Sequence, residues 1–322
     1  MQAHDQAHDQ AHDVAPHRQS GSEPAPAAAA ARAAAPGSIS FAIVTVGDGP
    51  RILPLLDVLG AARRDDDEVI LLLREDQAGT LTHRPPWARV VTMPDASIFR
   101  LRAQVPAVCR KEWIVVLEDH SMIEQSNIEA IRRVIGERPQ IDIIPFLTKN
   151  LTSRRSWDWA IYLFNFALVW APLDHPPPFS IVTSAIVRRT ALGTTAPLKD
   201  GEWELRVIPG LFATGRRESS NDIFIDHIKP LDAIPALEII FHNARAGASL
   251  QRGFGVPVHS VLREGWFAFA PRPRMLREAV ATRAHELPAG TRLRLHALGL
   301  SHLIGNIAGI LFGAGRSAYK LD

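Results

Sequence analysis

The stretch Trp113 to His120 reads WIVVLEDH, and it decides how the rest of the chain is interpreted. Its apolar run is followed at once by two carboxylates and an imidazole. An uninterrupted apolar run of this length predicts a strand buried on both faces, as in a parallel sheet. Ligands of such sheets bind beside the carboxyl ends of the strands. Glu118, Asp119 and His120 are therefore candidate binding residues, although polar residues also commonly end a strand and cap the next helix.

The segments around this stretch alternate between strand and helix patterns. The predicted elements of the first half are strands at 39–46, 67–76, 88–93, 112–119 and 141–148, and helices at 50–64, 97–110 and 127–137. Strands that alternate with helices predict βαβ units. The expected fold is therefore α/β, with a mostly parallel central sheet and helices on both of its faces.

The second half has longer helical segments. The elements predicted there are helices at 156–173, 201–217 and 232–252, and strands at 176–189 and 222–230. The helix at 156–173 carries an aromatic stripe, which indicates either core packing or an acceptor groove. We expect three regions: a disordered low-complexity leader at 1–37, an α/β domain at 38–252 and a basic amphipathic helical tail at 253–322.

Composition excludes several classes of protein. The 322 residues are 46% hydrophobic, enough for a sizeable core, and the formal net charge is only +2. Neither a strong basic field nor an aromatic and basic platform accompanies the arginines, so we expect no nucleic-acid partner. The single cysteine, Cys109, rules out an intrachain disulfide framework and is either a core residue or a nucleophile.

The two ends of the chain have unusual patterns. Three QAHD repeats place His4, His8 and His12 where one helical face could hold a metal, or where they are simply solvated. The N-terminus lacks the basic and apolar regions of a secretory signal, so we expect a cytoplasmic location. From Arg245 onward, eleven Lys or Arg stand against four acids.

The tail allows three interpretations. The run 295–315 is long enough to span a membrane, but its His, Asn, Ser and Gly residues make insertion marginal. It could instead lie on an anionic membrane surface, at the inner face, or pack on the domain as a helical hairpin. The arginines expected near lipid headgroups in the second case are Arg272, Arg274, Arg277, Arg283, Arg292 and Arg294.

The order of these segments resembles a glycosyltransferase family 2-like protein of the GT-A fold. The stretches that carry the resemblance are ISFAIVTVGDGP, DEVILLLRED, FRLRAQVPA, EWIVVLEDH, GEWEL and IDH, within about 39–252. The resemblance implies a Rossmann-like GT-A sheet and the transfer of a sugar from a nucleotide-diphosphate sugar, with inversion, to a saccharide or lipid-linked acceptor. Because EDH and TVGDG depart from the family pattern, a catalytically degenerate binding protein is the alternative.

The resemblance also implies a metal and ribose site at the end of the strand. VLEDH corresponds to the family's acidic motif, which puts Glu118 and Asp119 beside the ribose and a divalent cation, Mn²⁺ or Mg²⁺. His120 stands where the last acid is usual, which tilts the preference toward Mn²⁺ or toward no metal. In IDH, His227 would approach the metal or the diphosphate, so the implied metal ligands are Asp119, His120 and His227.

The remaining site residues are carried over from the same resemblance. The implied nucleotide-binding residues besides Glu118 and Asp119 are Thr45, Asp48, Glu75, Asp76 and Arg102. GEWEL corresponds to the segment with the catalytic base: aligned on Leu205, Glu202 takes that position and Glu204 is the nearby alternative. Such a base is needed because the acceptor hydroxyl must lose a proton as it attacks.

Overall fold

We analysed a computed structural model of the chain. It describes residues 37–45, 49–79, 81, 84–151, 155–174, 184–214, 216–227 and 229–321. The predicted leader, with the three histidines of its QAHD repeats, lies outside the described residues except for Gly37. Asp48 also lies outside them.

The main sheet is mostly parallel, as predicted. The strands of the described residues are β1 Ile39–Thr45, β2 Glu68–Arg74, β3 Ala88–Met93, β4 Trp113–Glu118, β5 Ser121–Met122, β6 Ile143–Pro145, β7 Leu147–Asn150, β8 Ala185–Arg188 and β9 Phe224–His227. Six of them form a sheet in the order β3-β2-β1-β4-β8-β6, and β5-β9-β7 form a second sheet. Strands β3, β2, β1 and β4 are parallel, whereas β8 is antiparallel to β4 and β6. The end of β4 therefore lies mid-sheet.

Helices cover both faces of this sheet and extend the C-terminal half. Those of the described residues are α1 Gly49–Ala62, α2 Ile98–Ala103, α3 Val105–Val108, α4 Gln125–Glu137, α5 Ser156–Phe166, α6 Ile208–Ala213, α7 Ala233–Gly253, α8 Val258–Phe269, α9 Pro271–Ala279 and α10 Thr291–Phe312. A π-helix, Trp203–Val207, leads directly into α6. Together with the sheet, these helices confirm the predicted α/β class and the helical C-terminal region.

Alternate side chains of the buried strands supply two separate cores. On β1, Phe41 and Ile43 face the core shared with α1 and α4, whereas Ala42 and Val44 face the core shared with α2 and α6. Burying an apolar side chain of this size contributes about 1.5–3 kcal/mol. Both faces of the sheet must therefore be covered by helices for the sheet to be stable. Strand β4 is buried except at Glu118, so its carboxyl end is the accessible part of the strand.

Two predicted elements are divided in the structure. The helix predicted at 97–110 breaks into α2 and α3, and Pro106 lies in the first turn of α3, where a proline is tolerated because its missing N–H is not needed. The strand predicted at 141–148 becomes β6 and β7, which belong to different sheets. The division follows Pro145, which cannot donate to the ladder, and Phe146 between the two strands is fully buried.

The predicted tail packs closely against the rest of the chain. Helix α10 lies between α7 and α8, and three of its glycines allow the backbones to approach. A Cβ on Gly305 or Gly309 would overlap a carbonyl oxygen of α7, and one on Gly299 would lie 2.6 Å from the carbonyl oxygen of Ala268. By length and composition alone, α10 is apolar enough to cross a membrane.

We expect Gly309→Ala to lower the free energy of unfolding by about 1–3 kcal/mol, because the new methyl group forces α10 away from α7. The matched control is Gly247→Ala in the middle of α7, where an added Cβ meets nothing within 4 Å. That control should gain up to about 1 kcal/mol from helix propensity. Urea unfolding measures both changes, and equal effects of the two substitutions would contradict the close packing of α10.

Candidate functional site

Two carboxylates and an imidazole meet at the carboxyl end of β4, between β1 and β8. The imidazole of His120 lies between the carboxylates, with Nε2 3.0 Å from Glu118 Oε2 and Nδ1 3.0 Å from Asp119 Oδ1. Asp119 also accepts a hydrogen bond from Thr45 Oγ1, at 2.7 Å, which joins the end of β1 to the cluster. The structure thus brings together Thr45, Glu118, Asp119 and His120, four of the candidate residues named from the sequence.

Helix α2 carries Arg102, the main cationic side chain of the site. Ser97 caps this helix by accepting a hydrogen bond from the backbone N–H of Arg100, and Phe99 and Leu101 bury its inner face on the sheet. This packing points Arg102 at the end of β4, where its Nη2 donates to Glu118 Oε1. Its other terminal nitrogen, Nη1, donates to Glu204 Oε1 at 2.8 Å. Arg102 therefore links two carboxylates from distant segments of the chain.

The π-helix sets the position of Glu204. Trp203 beside it is fully buried and anchors this turn against the sheet, and π-helical turns often occur at functional sites. Glu204 Oε2 is buried and has no hydrogen-bond partner among the described residues. Glu202 lies apart from this cluster, because its carboxylate accepts from the backbone N–H of Lys199 at 3.0 Å and lies 3.8 Å from Arg206.

His227 reaches the cluster from the second sheet. It ends β9, where it pairs with Ser121 of β5, directly after the acidic stretch. Its ring packs edge-on against His120, with 5.0 Å between ring centroids, and tilts against Phe166 at 4.7 Å. The predicted proximity of the two histidines therefore holds in the structure.

Burial and the neighbouring charged groups have opposite effects on the pKa values of this cluster. Burial alone would raise the pKa of Glu118, but Arg102 and His120 outweigh it and hold that pKa well below its usual range. Burial would likewise raise the pKa of Asp119, but His120 and Thr45 outweigh this effect and lower that pKa. The His120 pKa is raised because Asp119 and Glu118 outweigh the effect of burial. The arrangement therefore favours two carboxylates held by an imidazolium.

The pKa values of Glu204 and His227 shift in the opposite directions to those of Glu118 and His120. Burial raises the pKa of Glu204, and Arg102 offsets only part of this. Burial, together with the positive charges of His120 and Lys229, holds the pKa of His227 well below its usual range. A neutral imidazole and a carboxylate of raised basicity therefore flank the acidic pair, and divergent pKa values of this kind are typical of catalytic sites.

A cavity of about 440 Å³ opens beside these groups. Its lining includes Arg102, Glu118, Asp119, His120, Glu204 and His227. One lining residue, Lys229, was not singled out from the sequence, although it follows IDH by two positions. It donates to the carbonyl oxygen of Leu321 at 3.3 Å and contributes positive charge to the cluster. The cavity continues along apolar positions of α6 and α7, such as Ile208 and Ile240.

The other predicted residues lie outside the lining of this cavity. Glu75 and Asp76 are exposed just after β2, at the same sheet edge, and Asp76 accepts from Arg74 Nε at 2.6 Å. Cys109 is buried in the core, where burial raises the pKa of its thiol. The aromatic helix α5 is mainly core, while its Asn165 and Phe166 border the cavity. The nucleotide-binding roles of Glu75 and Asp76 stay predictions.

A preformed metal cage is not found in the described part of the chain: no group of three or more His, Cys, Asp or Glu there is arranged to hold a metal ion. The predicted ligands Asp119, His120 and His227 are adjacent, but His120 bonds to the carboxylates instead. Their donor chemistry, two imidazole nitrogens and a carboxylate, does fit a divalent transition metal, and it suits Mn²⁺ better than Mg²⁺. Coordination by His120 therefore requires one of its ring nitrogens to give up its carboxylate contact, Nε2 with Glu118 or Nδ1 with Asp119.

Comparisons with known proteins found similarity in structure only. No protein-family model matches the sequence, and no curated protein matches it either. The chain is similar to the mannosyltransferase PcManGT from Pyrobaculum calidifontis, solved with GDP-Man and Mn²⁺, at 12% identity and a TM-score of 0.49, covering 85% of this chain and 87% of that one.

Two further solved structures are similar over most of their length. Residues 1–349 of S. aureus TarS, solved with UDP, match at 14% identity and a TM-score of 0.45, covering 83% of this chain and 89% of that one. Glucosyl-3-phosphoglycerate synthase from Mycobacterium tuberculosis, with Mn²⁺, UDP and phosphoglyceric acid, matches at 16% identity and a TM-score of 0.45, covering 68% and 79%. At these identities, the function of this chain has to be argued from its own site.

Replacing Arg102 by Met should lower the free energy of unfolding by about 3–5 kcal/mol near neutral pH, because two buried carboxylates lose their shared cation. Without the guanidinium, the folded-state pKa of Glu118 rises, and that of Glu204, already above the ordinary glutamate pKa of about 4.3, rises further. The loss of stability should therefore grow as pH increases through the range above that value. Urea unfolding of both proteins at about pH 5 and about pH 8 measures this difference.

Two further variants test whether the pair of carboxylates is the cause. Arg102→Lys keeps the charge and should cost less than Arg102→Met. Adding Glu204→Gln to Arg102→Met should recover part of the loss, since one of the stranded carboxylates is then neutral. Additive effects of the two substitutions would show that Arg102 and Glu204 are not coupled.

Proposed function

We propose that this chain is a GT-A-type glycosyltransferase that transfers a sugar from a nucleotide-diphosphate sugar to a saccharide or lipid-linked acceptor. The observation that carries the proposal is the acidic pair Glu118 and Asp119 at the end of the central parallel strand. This pair is kept ionised by Arg102 and His120 and opens onto a cavity large enough for a ligand.

The cluster suits the charge pattern of a nucleotide-diphosphate sugar. The ribose of such a donor presents hydroxyl groups, which the carboxylates of Glu118 and Asp119 can accept as hydrogen-bond donors. Its diphosphate is anionic, and Lys229 in the cavity lining supplies a cationic amine for it. Arg102, bound to Glu118, orients this carboxylate toward the ribose.

A divalent cation, Mn²⁺ or Mg²⁺, belongs to this proposal. Asp119, His120 and His227 would hold it, and the mixed nitrogen and oxygen donors favour Mn²⁺. When bound, such a cation supplies Lewis-acid charge neutralisation for the leaving diphosphate. The solved mannosyltransferase and glucosyl-3-phosphoglycerate synthase, which each contain Mn²⁺, support this choice of ion for the test below.

Glu204 is the better placed base for the transfer step. The acceptor hydroxyl attacks the anomeric carbon, the bond from that carbon to the diphosphate oxygen breaks, and the hydroxyl proton passes to a carboxylate oxygen. Glu204 is part of the cavity lining, and its Oε2 is buried without a partner among the described residues, whereas Glu202 is held by Lys199 and Arg206. A raised carboxyl pKa makes a stronger base near neutral pH. A single displacement of this kind inverts the anomeric centre.

One observation favours the degenerate alternative. His120 contacts both carboxylates of the acidic pair, and its ring takes the place between them that a metal cation would otherwise occupy. A binding protein that has lost transfer would still recognise the nucleotide through the same cluster. Binding of a donor without any hydrolysis or transfer of its sugar would therefore select this alternative.

The donor can be identified by thermal shift with UDP, GDP, UDP-glucose and GDP-mannose, each with and without Mn²⁺. Ligands that bind only the folded state raise the melting temperature by mass action. We expect a shift with one nucleotide class that increases with Mn²⁺ and is lost in Asp119→Asn. The matched control is Asp57→Asn, an exposed carboxylate on α1 outside the cavity lining. A flat panel for the folded protein would refute donor binding.

The base assignment is tested by Glu204→Gln against Glu202→Gln. Loss of a general base reduces turnover by about 10²–10⁴-fold, so Glu204→Gln should lower hydrolysis and transfer of the identified donor by this factor while its thermal shift is retained. Glu202→Gln should leave turnover close to the unmodified protein. The reverse result, with Glu202→Gln inactive, would return the role to the residue that the sequence alignment favoured.

A further inference from the structure

An apolar stripe runs along the outer side of the C-terminal helices. On α10 it consists of Leu293, Leu300, Ile304, Ile307 and Leu311, which recur every three, four or seven residues and are 39–75% exposed. On α8 it continues through Val258, Leu262 and Trp266, which are 38–57% exposed and four residues apart. We call these eight residues the α8–α10 apolar face. Side chains at these spacings lie on one side of a helix.

The packing of both helices fixes this face on the outside. Helix α10 turns Gly305 and Gly309 toward α7, so its apolar stripe points the opposite way. On α8, Val261 and Gly265 are buried, and Glu264 accepts a hydrogen bond from Gln251 of α7. The stripe on α8 therefore lies on the flank away from α7, the same side as the stripe of α10.

Helix α10 is suited to lying on a bilayer rather than crossing it. Its 22 residues would be long enough to span the hydrocarbon region. However, a third of its most apolar segment is buried inside the protein, where its glycines contact α7 and α8. Only its outer face is available to lipid, as in interfacial helices.

The charges around the face match an anionic surface. Exposed cationic residues flank it: Arg292 is next to Leu293, Arg263 is next to Leu262, and Arg316 follows the last turn of α10. Of the acids on these helices, Glu278 pairs with Arg274 and Glu286 with Arg283, whereas exposed Glu264 accepts from Gln251 on the side of α8 that faces α7. Exposed Trp266 adds a side chain that prefers the membrane interface.

The exposed arginines beside the α8–α10 apolar face differ from the six arginines predicted from the sequence. Arg272 lies over the ring of Phe164 and donates to its carbonyl oxygen, and Arg283 stacks on Trp170 at 3.4 Å. Arg294 lies over Trp157, at 5.4 Å. The side chain of Arg277 lies outside the described part of the chain. Of the five predicted arginines whose side chains are described, Arg292 is the one that both borders the apolar face and is exposed.

We propose that the α8–α10 apolar face docks on an anionic membrane surface, with its leucines and isoleucines below the headgroups and its arginines among them. Apolar burial and attraction to anionic lipid both strengthen such binding. The proposal does not depend on the transfer reaction, because the face lies on the side of α10 opposite to α7. It predicts a peripheral membrane protein whose contact is made by folded helices.

Co-sedimentation of the full chain with vesicles tests this directly. We expect binding to mixed phosphatidylglycerol and phosphatidylcholine vesicles, weakened by added salt, and little binding to vesicles of phosphatidylcholine alone. Ile304→Glu combined with Leu311→Glu should weaken binding by at least about tenfold, since two apolar side chains lose their burial. The matched control is Leu151→Glu, a leucine that is 59% exposed after β7. It should bind as the unmodified chain does.

The other outcomes each overturn the proposal. Equal binding of the double variant and the control would show that this face does not touch lipid. Equal binding to neutral and anionic vesicles would remove the role of the arginines. Failure to bind vesicles, together with dimers that the double variant dissociates in light scattering, would assign the face to a second copy of the chain. Unchanged melting temperatures of the variants verify that they fold.

Discussion

The guanidinium of Arg102 is the constraint around which the site is organised. Glu118 ends a strand whose other residues are buried, and an ionised carboxylate in that position is stable only with a cation beside it. Arg102 supplies this cation and simultaneously binds Glu204. Helix α2, strand β4 and the π-helix are therefore held together by one side chain, and their relative positions determine where the cavity opens.

Much of the fold could be predicted from hydrophobic periodicity. The near-continuous apolar runs of β1, β2 and β4 indicate strands covered on both faces, and these runs are fully or almost fully buried in the structure. The divisions at Pro106 and Pro145 were harder to predict, because an apolar pattern continues through both prolines. Tertiary pairing, rather than local pattern, assigns β6 and β7 to separate sheets.

The candidate site was partly predictable. The end of WIVVLEDH marks the acidic pair because polar groups at a parallel strand end meet the ligand edge of a sheet. Which glutamate of GEWEL faces inward could not be obtained in this way. The π-helical turn changes the angular spacing of successive side chains, and it directs Glu204 rather than Glu202 toward Arg102. Lys229 was missed because a lysine after a strand is ordinarily a solvated surface residue.

The arginines of the C-terminal helices show a similar limit. Their number suggests a basic surface, but Arg272 and Arg283 use their planar groups to stack on aromatic rings of the packed helices. Composition counts such residues as surface charge, whereas packing removes them from the surface. The sequence therefore predicted the sign of the charge better than its location.

Two parts of the chain form the wall of the cavity. One end is formed by the strand-end cluster, and the other by inner residues of the C-terminal helices, among them Glu264, His302 and Asn306. A molecule that extends from the carboxylates toward α7 consequently meets these helices next. The length and polarity of the cavity are thus set by both parts of the chain, so substitutions in the C-terminal helices change its shape without any change at the strand end.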